Sequence, residues 1–361
     1  MSGSSSGAGA LAGRNVVVTG AAGFIGRRLV AALVARGAAV TAVERRAPLR
    51  SRPLHPVGAA VRRVAADLAR PESLRAAIAG ADVLFHLAYD IRDGAAGNLA
   101  AFDGVLAAAR DGGVRRIVHA SSIVVYDGWP DGVLREDQTW GSPGGGAYRQ
   151  AKIAMERRLL ASDIEAAILQ PTLVYGSGSA LWTEIPLRAL ASGGLVLPEP
   201  AGLAALVHAE DVAAAAVAAA ELPELGHERF IVSAPPVAWE DYISGLAAIA
   251  GGAGLFRLPA AEVAARLGPG TAAADAGSGP PLAARVSAVL RRHVGHARVE
   301  AAAGALRRFR GRAGPLWPDR FMLDLYTARP ALPPGATALR LGFMPQVTLR
   351  QGLDEIGQQR R

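Results

Sequence analysis

The chain has 361 residues, 51% apolar and 19% charged, with a net charge of +8 and no cysteine. This is the profile of a globular protein with one large or two ordinary domains. Lack of cysteine excludes disulfides, thiolate metal sites and a cysteine nucleophile, and it fits a reducing cytoplasm.

Residues 1–13 are rich in Gly, Ser and Ala, have no charged start and no apolar core, and read as a flexible tail and not a secretion signal. Asn15–Thr19 is a short β-branched run suited to a buried strand. Gly20, Gly23 and Gly26 follow at once, a helical pattern runs from Phe24 to Arg36, Gly37 ends it, and Ala39–Val43 is a second strand. Strand, glycine turn, helix and strand form the context in which such glycines point to a dinucleotide. They permit a tight turn and let a pyrophosphate approach backbone N–H groups at the helix start, around Gly20, Gly23, Phe24, Ile25 and Gly26.

Glu44 ends the second strand, where an acid can accept hydrogen bonds from the adenosine ribose, which favours NAD. Arg45 and Arg46 come next and leave NADP open, since either can meet a 2′-phosphate. Asp67 and Leu68, after a strand near Val61–Ala65, are placed to touch the adenine edge; Asp67 also reads as a helix-start acid ahead of Pro71.

Asp82–Ala88 is nearly all apolar, as a parallel strand buried on both faces should be. A helix from Asn98 to Arg110 leads to a strand at Arg116–Ala120, with Ser121 and Ser122 at its carboxyl end. Ligands of open α/β sheets gather there. Asn98 reads equally as a residue ordering an active-site water or cofactor loop and as an exposed residue near a helix start. The alternation of strands and helices predicts an α/β, Rossmann-like doubly wound parallel sheet.

Lys152 is the one lysine among the 39 Lys and Arg residues, and it stands four residues after Tyr148. On a helix from Tyr148 to Leu160 the two are neighbours. Lysine is a compact point charge where arginine is a wide fork. A cation ~4 Å from the phenol in a medium of effective dielectric ~20 would lower its pKa by roughly three units before desolvation subtracts some, and the positive nicotinamide ring of an oxidised cofactor would add to the lowering. Tyr148 could then exchange a proton with a substrate hydroxyl or carbonyl, Ser122 could hold the same oxygen, and Lys152 could also bind the nicotinamide ribose.

These residues in this order resemble the extended short-chain dehydrogenase/reductase superfamily, in its NAD-dependent epimerase/dehydratase branch. The resemblance runs through the turn Thr19–Gly26, Asp67–Leu68, His86–Leu87–Ala88, Ser121–Tyr126, Tyr148 with Lys152 and Gln170–Gly176. It continues in Val207–Val212, Leu341–Pro345, Leu349 and Gly352–Leu353. It implies a catalytic group of Ser122, Tyr148 and Lys152, and cofactor contacts that include Leu87, Ala88, Pro171 and Leu173. It also implies a substrate pocket formed mostly after Gly176, a structural His208, and a homodimer.

On this reading residues 14–175 form the cofactor domain, with 204–233 adding a later strand and helix. Residues 176–203 and 234–361 form a smaller C-terminal α/β substrate-binding lobe, with a mobile segment near 268–281. Tyr89, Arg92 and Trp182 fall on loops expected to face substrate or to cover the core, and Trp182–Leu190 is expected to form a pocket-wall helix. No metal site is expected.

Departures from the family pattern narrow the reaction. Ile123 and Val124 stand where its dehydratases carry an acidic pair, Val124 also stands where its decarboxylases carry a glutamate, and there is no cysteine for the epimerase-reductase route. Leu173 and Ala204 replace an asparagine and an arginine that meet a nucleotide diphosphate, and Gln170 replaces an arginine. The expected activity is therefore that of an NAD(P)-dependent oxidoreductase or epimerase, with hydride transfer between nicotinamide and a secondary alcohol or ketone carbon of a sugar-like or other small molecule. Net oxidation and epimerisation, in which the cofactor is reduced and reoxidised within one turnover, both remain open. A sterol- or polyketide-like substrate is the alternative, and a non-catalytic dinucleotide sensor is the alternative of another class.

No stretch reaches the ~20 apolar residues of a membrane span. Arg285–Arg312 holds eight arginines and one acid, Glu300. No nucleic-acid motif accompanies it, and Leu282, Val286, Val289 and Leu290 recur at helical spacing, so it reads as the solvated face of an amphipathic helix.

Overall fold

The computed structural model describes residues 10–45, 61–68, 70–91, 93–142, 144–252, 254–268, 314–333 and 335–360. Arg46, Arg92, the basic stretch after Arg285 and all but Gly268 of the segment near 268–281 lie outside them. The strands β1 (Asn15–Thr19), β2 (Ala39–Glu44), β3 (Val61–Ala65), β4 (Val83–His86), β5 (Arg116–Ala120), β6 (Glu165–Pro171) and β11 (His227–Val232) form one sheet. Its order is β11-β6-β5-β4-β1-β2-β3, and every pair in it is parallel. Strand β4 is shorter than the apolar run predicts, because Leu87 and Ala88 leave it to pass beside Gly20.

Side chains alternate across a strand, so each strand feeds two cores. Val16, Val18, Phe85, Val118 and Leu169 pack on one face with Leu29, Val30 and Leu33 of α1 (Phe24–Ala35) and Val212, Ala216 and Val217 of α6 (Ala209–Glu221). Val17, Leu84, Ile117 and Ile168 pack on the other. There they meet Leu74 and Ile78 of α2 (Pro71–Ile78), Phe102 and Val105 of α3 (Ala95–Asp111), and Met155 and Leu159 of α4 (Gly146–Leu160). A fully buried Leu such as Leu29 or Leu74 contributes about 1.5–3 kcal/mol. The alanine-rich α6 is therefore a buried helix of the cofactor half. Among residues 10–13, expected to belong to a flexible tail, Leu11 is 2% exposed and joins the first core.

The remaining strands come in pairs. They are β7 (Leu173–Tyr175) with β10 (Leu206–His208), β8 (Leu195–Glu199) with β13 (Leu255–Pro259), and β9 (Leu203–Ala204) with β12 (Val237–Ala238). A third core binds the latter two pairs to α5 (Ile185–Ser192), α7 (Trp239–Ile249), α9 (Arg320–Thr327) and α11 (Leu349–Gln358) around Trp239, Tyr242 and Tyr326. The Trp239 indole donates to the Leu325 carbonyl at 2.9 Å. Short α8 (Ala260–Leu267) and α10 (Ala336–Leu339) complete the described helices. α11 closes back on the cofactor half: Glu355 meets His208 at 2.6 Å and Arg28 of α1 at 3.2 Å. His208 is buried and receives the Glu210 N–H, a capping role at the start of α6.

Candidate active site

Gly20 turns the chain out of β1 at φ +72, and a Cβ there would lie 2.9 Å from the Ala88 nitrogen. A Cβ on Gly26 would come within 2.2 Å of the Gly20 carbonyl, so only glycine lets α1 start this close to the strand. Gly23 caps α1 without a side-chain hydrogen bond, and the first turn, which holds Phe24 and Ile25, contains no acid. The positive helix end thus has no side-chain anion of its own. The Thr19 hydroxyl beside the turn is buried without a partner. An uncapped helix start, a close-packed glycine turn and an orphaned hydroxyl fit the pyrophosphate of a dinucleotide.

The adenosine end differs from expectation. Glu44, 4% exposed, accepts from Arg63 of β3 through both oxygens, at 2.7 and 2.8 Å. Arg45 pairs with Asp90. Asp67 has a half-exposed side chain and Leu68 packs on the second core. Asn98 is 6% exposed, receives the Asp90 N–H at 2.9 Å and donates to the carbonyls of Asp90 and Gly94 at 3.0 and 3.1 Å. It therefore orders the loop after β4, one of the two roles its sequence position left open.

At the carboxyl end of β5, Ser121 donates its N–H to Leu169 and Ser122 opens a 3₁₀ turn, Ile123–Val125. Tyr148 and Lys152 lie one turn apart on α4. Ser122 stands beside the Tyr148 hydroxyl and favours its charged form, and Tyr89 meets the Tyr148 ring edge-on with centroids 5.0 Å apart. Lys152 is 3% exposed; its ammonium donates to the Ala120 carbonyl at 2.6 Å and lies 5.0 Å from the Tyr89 ring centre and 5.7 Å from that of Tyr148. The structure thus brings Ser122, Tyr148, Lys152 and Tyr89 together.

The electrostatics correct one expectation. Burial raises the Tyr148 pKa above 10, the neighbouring Ser122 opposes this, and the Tyr89 phenol adds to it. The residue as a whole is 42% exposed. The Lys152 ammonium faces the ring and spends a hydrogen bond on Ala120, so it does not acidify the phenol here. The larger change is on the lysine: burial lowers it to about 8, against the opposing pull of Glu156.

Glu156 escaped the sequence reading. It is fully buried one turn beyond Lys152, and its carboxylate accepts from the Ser121 hydroxyl, from the Trp140 indole at 2.7 Å and from Gln170 at 3.0 and 3.1 Å. Tyr126 in turn donates to Gln170 at 2.8 Å. Gln170, an unexplained departure in the sequence, thus bridges the two. The same i, i+4 spacing that relates Tyr148 to Lys152 relates Lys152 to Glu156 and was the available signal. Also missed were His86 and His119 on neighbouring strands, with Nδ1 atoms 3.0 Å apart. Burial, reinforced by the Lys152 charge, pushes both down, His86 to about 3.

Other expected residues are placed differently. Leu173 and Ala204 are buried core residues. Pro171 ends β6. Trp182 lies in a π-turn, Ala180–Glu184, ahead of α5, and packs on the third core, while its carbonyl accepts from Tyr242 at 2.7 Å. Leu181 beside it is 53% exposed. Among the described residues no cluster of acids and histidines could hold a metal, and no helix is long and apolar enough to cross a membrane.

Comparison with known proteins agrees with this architecture. The chain is 33% identical to a ceramide reductase of Caulobacter vibrioides over 258 residues, covering 68% of this chain and 73% of that one. It is 28% identical to a 4-hydroxy-2-methyl-3-oxo-4-farnesyl-3,4-dihydroquinoline-1-oxide ketoreductase of Stigmatella aurantiaca, covering 70% and 78%. In structure it superposes on MoeE5 in complex with UDP-glucuronic acid and NAD with a TM-score of 0.65 at 22% identity, covering 95% and 98%. It superposes equally on a UDP-N-acetylglucosamine 4-epimerase of Bacillus cereus, with a TM-score of 0.65 at 14% identity, covering 96% and 99%. The model of the NAD dependent epimerase/dehydratase family matches residues 16–233, and the chain belongs to that family.

Proposed function

We propose that the protein is a nicotinamide-dependent ketoreductase, or in reverse a secondary-alcohol dehydrogenase, acting on an extended and largely apolar substrate. The observation that carries this reading is the approach of Ser122 to the Tyr148 hydroxyl, with Lys152 buried one helical turn on and the apolar Ile123 and Val124 directly after Ser122. Two hydroxyls converge where a carbonyl oxygen can be held, and no second acid follows Ser122 to eliminate water. The nicotinamide cofactor, when bound, supplies or accepts the hydride. Tyr148 gives the carbonyl oxygen its proton, or takes it back in the reverse direction. Ser122 holds the same oxygen, and Lys152 would bind the nicotinamide ribose. Gly20, Gly23 and Gly26 admit the pyrophosphate.

The substrate class rests on two supports. Relatives at 28–33% identity are named as reductases or dehydrogenases of ceramide, a farnesylated quinoline oxide, 2-alkyl-3-oxoalkanoates and steroids. Leu173 and Ala204 are buried and apolar where a sugar-nucleotide site would need polar groups. The test is net turnover of reduced cofactor with a long-chain 3-oxo ester or amide, compared with UDP-sugars. Consumption of reduced cofactor with the apolar ketone, lost in Tyr148→Phe, is expected. Interconversion of a UDP-sugar with no net cofactor change would replace this reading with epimerisation.

A further inference from the structure

An acid at the end of the second strand of such a sheet accepts hydrogen bonds from the adenosine ribose and, as a bare charge, repels a 2′-phosphate. Glu44 occupies that place but is not a bare charge. Its two oxygens take the Nε and terminal nitrogen of Arg63 in the parallel, two-pronged geometry that guanidinium and carboxylate form best. The Glu44 side chain is 2% exposed, whereas that of Arg63 is 25% exposed. The register explains the pairing: Ala42 lies opposite Arg63 and Glu44 opposite Ala65, so the two side chains stand on one face of the edge pair, two positions apart. Arg45 follows directly, 57% exposed and held by a partly exposed Asp90. Exposed pairs of this kind are weak, so Arg45 is free to exchange Asp90 for another anion.

We propose that Arg63 cancels the charge of Glu44 at the adenosine-ribose end of the cofactor groove, so that this chain accepts NADP(H) as well as NAD(H). Arg63 is thereby a specificity-determining residue, with Arg45, exposed directly after Glu44, available to meet the added phosphate. The inference rests on the dinucleotide reading of the glycine turn and goes beyond it, because a free carboxylate at Glu44 would select NAD alone.

The experiment measures the Kd of NADH and of NADPH on the full chain by quenching of its tryptophan fluorescence, without substrate. In the wild type the two values are expected within about tenfold of each other. Arg63→Gln uncovers the carboxylate and should raise the NADPH to NADH ratio of Kd by about tenfold or more. Because that variant leaves a buried acid unpaired and can fail to fold, Glu44→Gln is the second probe. It keeps an acceptor for Arg63, removes the repulsion, and should move the ratio several-fold the other way. Wild-type binding of NADH more than about a hundredfold tighter than NADPH would overturn the inference and leave the dinucleotide site standing. So would variants that weaken both dinucleotides equally, as a merely structural ion pair predicts. Binding of neither would overturn the dinucleotide reading itself, and the inference with it.

Discussion

The seven-stranded sheet with its helices and the smaller lobe of paired strands are held together by different means. In the first, parallel strands run side by side from β3 to β11, and β1, β2, β4, β5 and β6 divide their side chains between two cores. In the second, strands meet only in pairs, and three aromatic residues, Trp239, Tyr242 and Tyr326, gather helices from distant parts of the chain. The first kind of order fixes atoms at the ends of strands to fractions of an ångström, as reacting groups need. The second tolerates exchange of side chains, as a substrate-selecting surface needs. Changes in the cofactor half should therefore strike turnover, and changes in the lobe should strike substrate affinity.

The strongest break between the two is Tyr148→Phe. It removes the hydroxyl beside Ser122 and leaves the ring against Tyr89. Turnover should fall by about 10²–10⁴-fold while the Kd of the dinucleotide holds. Retained turnover would place the acid–base group elsewhere. Lys152→Arg should cost about a hundredfold or more, although the charge is kept. The site is 3% exposed, and a guanidinium is wider than the ammonium that reaches Ala120. Gly26→Ala acts on the backbone: its Cβ would stand 2.2 Å from the Gly20 carbonyl. A loss of about 1–3 kcal/mol in unfolding free energy and weaker dinucleotide binding are expected; an unaltered melting temperature would contradict this packing.

The same contrast explains what could be read from sequence. The glycine turn and the Tyr148–Lys152 pair were legible because backbone conformation and helical spacing are local properties. Glu156 shares that spacing, but its partners Trp140 and Gln170 come from a loop and a strand whose meeting only the fold supplies. The clasp of Glu44 by Arg63 likewise depends on the register of β2 and β3. Trp182 was expected on a loop facing substrate or covering the core, and in a lobe organised by aromatic packing it joins the core while Leu181 turns outward. The direction of the Tyr148 shift was misread because proximity along a helix does not specify which atom of the ring the ammonium meets.

A smaller effect sharpens the electrostatics of the cofactor half. Burial brings Lys152 to about 8 from an ordinary 10.5, and Glu156 pulls it upward. Between those values the unfolded chain binds more protons, so stability should rise with pH across that window. Activity runs the other way, because the ammonium is lost above about pH 8. Glu156→Gln removes the upward pull and should shift the alkaline limb of the kcat/KM profile to lower pH, by about one unit or less. A limb that stays in place would show that Lys152 does not set it.

The smallest expected effect belongs to the lobe. Leu181 is 53% exposed in the π-turn beside Trp182, and Ile185 at the start of α5 is 37% exposed. Neither contributes a full side chain to the third core, so Leu181→Ala should leave the melting temperature nearly unchanged. If an apolar substrate covers Leu181, truncation removes part of that contact, worth about 1 kcal/mol of affinity at roughly 25 cal/mol per Å², or about fivefold in KM. If Leu181 only covers the tail of the substrate, kcat should hold for a long-chain ketone, and KM for a short one should not move. A fall in kcat with KM unchanged would mean that this surface governs the chemistry after all, and the division between the two halves would have to be redrawn.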